Sequence, residues 1–125
     1  MKQGKIWGLT QEILRTRTVS AHHISAQAGG FCSEHRHEFK SNIFYVISGR
    51  LLITIWREVD GPHGPQEIPD QTEIAAGELT AVPAGAWHKF EALENTEAIE
   101  FYTVALQDPD IERRSTGGIL GRISG

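Results

Sequence analysis

Three histidines are the residues of this chain best suited to chemistry. His35 and His37 are separated by one residue within residues 31–37, a stretch that reads as a β-strand. Side chains alternate along a strand, so both imidazoles leave one face with their Cα atoms about 6 to 7 Å apart. Two nitrogens can then converge on one divalent cation. A third histidine, His88, follows the Pro83-Ala84-Gly85 turn, and closure of a barrel would bring it opposite the first two. Three imidazoles leave coordination positions open for a small-molecule ligand. Such donors accept iron, nickel, copper or zinc, and suit manganese less because it prefers oxygen. A His-x-His pair alone also fits two polar residues on a solvated strand face, so His88 decides between the readings.

The other reactive side chains read less sharply. Glu100 interrupts an apolar run. It either faces solvent or points inward as a candidate general base, and the cost of burying an unpaired carboxylate favours solvent. Cys32 has the opposite strand parity to His35 and His37, which predicts a buried, inert thiol turned away from them. Only one of His22 and His23 can face inward, in a packing or surface role, and His63 lies in a Pro/Gly loop. Phe90 shares the parity of His88 and is expected to line the cavity.

The elements that must position these residues are short and β-rich. Runs of β-branched and aromatic residues predict strands at 18–25, 31–37, 42–47, 51–56, 72–75, 79–82, 87–92 and 98–106. Gly29-Gly30, Ser48-Gly49-Arg50 and Pro83-Ala84-Gly85 separate them as turns. Residues 58–71, with prolines at 62, 65 and 69, read as a long surface loop. The fold class is therefore all-β, one domain over 1–125. A barrel core spans about 18–106, an N-terminal edge segment 1–17, and a tail 107–125 in which Asp108 offers a cap for one helical turn.

A length of 125 residues suits a single domain. With 16 acidic and 12 basic side chains the net charge is −4, and no basic cluster is present, which argues against nucleic acid. A lone cysteine excludes an intrachain disulfide and suggests a reducing cytoplasm. No signal peptide pattern opens the chain and no apolar run approaches the roughly 20 residues of a membrane span. Ile6, Trp7 and Leu9 near the N-terminus suggest an edge that a homodimer would cover.

At this point the sequence resembles the cupin superfamily. Its first motif, glycine followed at fixed spacing by His-x-His, a glutamate and a closing glycine, is met by Gly29 or Gly30, His35, His37 and Gly49. Its second is met by Gly77, Pro83, Gly85 and His88, with Ala92 in place of the final asparagine. Where the motif has its glutamate ligand this chain has Asn42. Lys5-Ile6-Trp7-Gly8, Asn42-Ile43-Phe44 and Asp110-Ile111-Glu112-Arg113 also resemble a group of small single-domain cupins with no assigned substrate. The resemblance implies a double-stranded β-helix, or jelly roll, with His35, His37 and His88 as metal ligands. Asn42 then acts as a weak fourth ligand or orients a metal-bound water. Parity with Asn42 places Phe44 and Val46 toward the pocket beside Phe90.

Without the glutamate, three neutral imidazoles leave a divalent site at +2, which favours anionic ligands. Such sets resemble those of the cupin thiol dioxygenases and the diketone-cleaving dioxygenase, which implies an O₂-dependent enzyme on a small anionic or enolisable molecule. Isomerase, epimerase or lyase chemistry on a sugar or carboxylate is an alternative that needs an inward base, for which Glu100 is the candidate. A non-catalytic small-molecule sensor is a further alternative, and a purely structural barrel a third.

Overall fold

The computed structural model describes residues 2–103 and 111–121. The β-branched and aromatic runs form strands, and among the described residues there is no helix, hence none long and apolar enough to cross a membrane. Two antiparallel sheets face one another. The first orders β1 (Lys2–Lys5), β2 (Gly8–Arg15), β3 (Val19–Ala26), β11 (Thr96–Thr103), β6 (Ser41–Ser48) and β9 (Leu79–Val82). In the second, β8 (Gly64–Ala75) pairs with β7 (Arg50–Gly61), and β7 with β10 (Trp87–Ala92). The other edge of β10 carries β4 (Gly30–Phe31) and β5 (His35–Arg36), the two halves of one broken strand. β13 (Gly118–Ile119) pairs with β4 and β12 (Glu112–Arg113) with β5.

Alternation fills the space between the sheets. Along β6 as far as Val46, and along β10, every second residue is buried, and Phe44, Val46, Phe90 and Ala92 meet Ile24, Leu51, Ile53, Val82 and Ala98 in one core. Each large side chain there contributes roughly 1.5 to 3 kcal/mol by leaving water. This core holds β6, β10 and β11 at fixed register, which fixes whatever their inward polar side chains build.

Three sequence expectations change, at residues 58–71, at 31–37 and in the tail. Residues 58–71 are the arms of the β7–β8 hairpin, with Pro62 and His63 between Gly61 and Gly64 at its turn. Pro65 and Pro69 are tolerated because β8 pairs only with β7, and an edge strand accepts missing donors. The strand expected at 31–37 is interrupted at residues 32–34. The N-terminal segment is a hairpin, β1 with β2, that extends the first sheet through β3. The tail supplies strands rather than a helical turn at Glu112 and Arg113, while Asp108, the expected cap, and the end of the strand expected at 98–106 lie outside the described residues.

Candidate metal centre

The broken strand and β10 bring the three histidines together. His35 on β5 is the cross-strand partner of His88 on β10, and His37 follows immediately after β5, where its carbonyl oxygen accepts a 2.6 Å bond from Gly85 N–H. The ring centroids lie 4.3 Å (His35 to His88), 5.0 Å (His35 to His37) and 5.5 Å (His37 to His88) apart. One nitrogen from each falls within 4.8 Å of the others, a spacing that suits a single ion.

The backbone sets the tautomers. Nδ1 of His35 is 2.7 Å from the Ser33 carbonyl oxygen, and Nδ1 of His88 is 2.9 Å from that of Ala86. A carbonyl only accepts, so each Nδ1 carries the proton and each Nε2 presents a lone pair. Nε2 of His88 is buried with no hydrogen-bond partner among the described residues, the signature of a ligand atom whose partner is an ion. Burial and then the neighbouring His88 depress the His35 imidazole to about 3. Burial depresses His88 to about 4, against the raising pull of the Ala86 carbonyl. Both are neutral near pH 7, as metal ligation requires.

A second polar group lies beside the cluster. Asn42 on β6 is 1% exposed and donates from Nδ2 to Glu100 Oε2 at 2.6 Å, and Tyr102 also hydrogen-bonds the Glu100 carboxyl. Burial pushes Glu100 up to about 7 even though both hydrogen bonds favour its ionised form. Burial and the Glu100 charge push the Tyr102 phenol well above its usual value, so its O–H donates. Asn42 Oδ1 is left buried without a partner among the described residues, an acceptor that a cation or a bound hydroxyl would satisfy.

The site opens on a cavity of about 340 Å³, within the range of small-molecule sites. His35, Glu100, Tyr102, Phe90, His22 and Cys32 form its inner wall. His37 and His88 lie behind that wall, 2% and 1% exposed. Phe44 and Val46 face inward but belong to the closed core rather than the cavity wall. Glu100, expected to face solvent, is 7% exposed and lines the cavity, because Asn42 and Tyr102 supply the donors that offset its burial. Cys32 also lines the cavity, since the interruption after β4 breaks the parity that turned it away. Its Sγ accepts from Phe90 N–H at 3.2 Å, and burial pushes the thiol up to about 12. His22 faces the cavity and meets the Tyr102 ring edge-on at 5.2 Å, whereas His23 turns outward toward Glu97.

Sequence reasoning missed Tyr102 as a site residue, although its two-residue spacing from Glu100 was a usable signal. It also missed Lys5 and Arg113, which line the cavity from the two chain ends.

Comparison with known proteins agrees with this architecture. An uncharacterized protein of Streptomyces coelicolor is 31% identical over 83 residues, 66% of this chain and 67% of that protein. Oxalate decarboxylase from Bacillus subtilis, whose Mn(II) centres have been studied, superimposes with a TM-score of 0.73 at 17% identity. That match covers 90% of this chain but 29% of the decarboxylase. KdgF from a Halomonas species superimposes with a TM-score of 0.69 at 18% identity, covering 86% of this chain and 89% of its own. At these identities the likeness is one of fold. The cupin domain family itself matches residues 22–105, the span that carries both histidine motifs and Glu100, and this chain belongs to that family.

Proposed function

We propose that this cupin is a metal-dependent enzyme acting on a small anionic or enolisable molecule, with His35, His37 and His88 as protein ligands of one divalent ion. The observation that carries the reading is Nε2 of His88, buried without a hydrogen-bond partner among the described residues, its lone pair fixed by the Ala86 carbonyl and aimed among two further imidazoles. A bound divalent ion would act as a Lewis acid on a substrate oxygen. With no carboxylate among the three ligands, the site favours an anion.

On the donor set alone, the three-histidine dioxygenase-like reading comes first. The placement of Glu100 supports a second, in which the enzyme moves a proton in an isomerase or lyase reaction. Its carboxyl lines the cavity, is held by Asn42 and Tyr102, and titrates near neutrality, where a general base is most effective.

Elemental analysis of untagged protein, with His35→Ala and His88→Ala alongside, tests the metal centre. Metal near one per chain, lost in both variants, supports it; no metal after reconstitution leaves a binding or structural barrel. A panel of thiols, diketones and keto acids, followed by oxygen uptake and by deuterium incorporation from solvent, then separates the two reactions. Ligand binding without either signal would point to a sensor.

We also propose a homodimer. Ile6, Leu9, Ile13 and Leu14 on the N-terminal hairpin are each about half exposed, and β1 leaves a sheet edge open. Light scattering on wild type and Ile13→Asp checks this, a monomeric wild type being the contrary result.

A further inference from the structure

The mouth of the cavity is built by segments outside residues 22–105, the span that matches the cupin family. Lys5, Ile6 and Trp7 come from the tip of the β1–β2 hairpin. Ile111, Arg113, Ser115, Thr116 and Gly117 come from the C-terminal strap that carries β12. From Ile111 to Ser115 side chains alternate along this strap. Glu112 and Arg114 turn outward, Glu112 to Arg36 at 2.7 Å and Arg114 to Glu34 at 3.2 Å and Glu67 at 2.8 Å. The Arg114 guanidinium also lies 4.4 Å from the Trp87 ring centroid and 5.2 Å from that of Trp56. Arg113, between them, is the cross-strand partner of His35 and therefore shares the face of the candidate ligand.

Arg113 is exposed at the mouth, and among the described residues neither it nor Lys5 forms an ion pair. The cavity lining contains one carboxyl, Glu100, against these two basic side chains. An arginine whose neighbours are both clasped while its own fork faces a cavity is prepared for a planar anion.

We propose that Arg113, assisted by Lys5, binds a carboxylate of the ligand at the cavity mouth, so that the ligand class is a short dicarboxylate whose other end reaches the histidine cluster past His35. The position of that other end rests on the metal-centre reading; carboxylate capture at Arg113 does not. The cavity volume confines the ligand to small molecules.

Calorimetric titration with malonate, succinate and glutarate tests this on protein as purified and on protein stripped with EDTA. At fixed ionic strength the best-bound diacid should lose affinity by about tenfold or more in Arg113→Gln and by less in Lys5→Gln. Arg113→Lys, which keeps the charge without the fork, should fall between. Arg57→Gln, which removes the remote Arg57–Asp70 ion pair, should match wild type. Unchanged affinity in both Arg113 variants, or no binding of any diacid to wild type, overturns the proposal. Inorganic phosphate binding more tightly than every diacid overturns the carboxylate class. Loss of affinity in stripped Arg113→Gln supports the proposal even if elemental analysis finds no metal, and a proven metal with indifferent Arg113 variants sinks it alone.

Discussion

Asn42 donates its side-chain amide to Glu100 across neighbouring strands, Nδ2 to Oε2 at 2.6 Å, although the register places Asn42 opposite Tyr102 and Glu100 opposite Phe44. The contact is diagonal, and with the Tyr102 hydrogen bond it holds a carboxyl in a wall that is otherwise largely closed to water. Asn42 therefore keeps one end of its amide on Glu100, while the other, Oδ1, is buried without a hydrogen-bond partner among the described residues.

The carboxyl of Glu100 gives a pH dependence of definite sign. Its folded value, about 7, lies above the ordinary carboxylate value of 4.5, so the folded state binds the extra proton. The contribution of that proton is fully present below about pH 4.5 and is lost as pH rises through about 7. In metal-free protein, Glu100→Gln should gain stability relative to wild type across this window, by at most on the order of 3 kcal/mol. Urea unfolding at pH 5, 6, 7 and 8 measures it. A pH-independent difference would mean that Glu100 is ionised throughout.

The histidines act in the opposite direction. His35 at about 3 and His88 at about 4 are depressed below the ordinary 6.5, so their neutral forms support the fold above pH 6.5. That support fades as pH falls through the 6.5 to 3 window. Melting of EDTA-treated protein should drop over it, and a stabilising shift from added nickel or zinc, present at pH 7.5, should vanish as protons compete for the same nitrogens. Equal shifts at pH 5 and 7.5 would place the metal elsewhere.

The two histidine motifs were legible because period-two alternation and the Pro83-Ala84-Gly85 turn are local signals, and the fold brought His35 opposite His88. Glu100 was misplaced because its burial depends on donors from Asn42, 58 residues away, and from Tyr102. Cys32 was misplaced because the interruption at residues 32–34 is produced by long-range partners, Phe90 on one side and Ser115 on the other. The chain ends were hardest to read: Arg113 acquires meaning only when β12, remote in sequence, pairs with β5, and Lys5 only when the β1–β2 hairpin folds onto β3. Pro65 and Pro69 suggested a loop because nothing in the sequence marks β8 as an edge.

Arg114 fastens the strap from outside, through two tryptophan rings and two carboxylates. Exposed ion pairs contribute about 0 to 1 kcal/mol and exposed cation–π contacts about 0.5 to 1 kcal/mol, and because all four contacts share one guanidinium they do not add in full, so Arg114→Ala should cost about 1 to 2 kcal/mol in total. The loss should be local. Hydrogen exchange should quicken at β12 and β13 while β6, β7 and β11 keep their protection. Uniform acceleration across both sheets would show that the strap is part of the global folding unit.

Gly117 tests the same strap by steric means alone. A Cβ there would stand 2.5 Å from the Phe31 carbonyl oxygen and 2.9 Å from the Cys32 carbonyl carbon, backbone atoms that cannot rotate away. Gly117→Ala must therefore push the strap off β4, at a cost of about 1 to 3 kcal/mol. The β13–β4 pairing should be lost first, with faster amide exchange at Gly118 and Ile119. Gly4→Ala on β1, where an added Cβ meets nothing within 4 Å, is the control and should leave both stability and exchange unchanged. If Gly117→Ala matched that control, the close approach of the strap to β4 would not hold in solution, and the wall that Arg113 completes would have to be formed in another way.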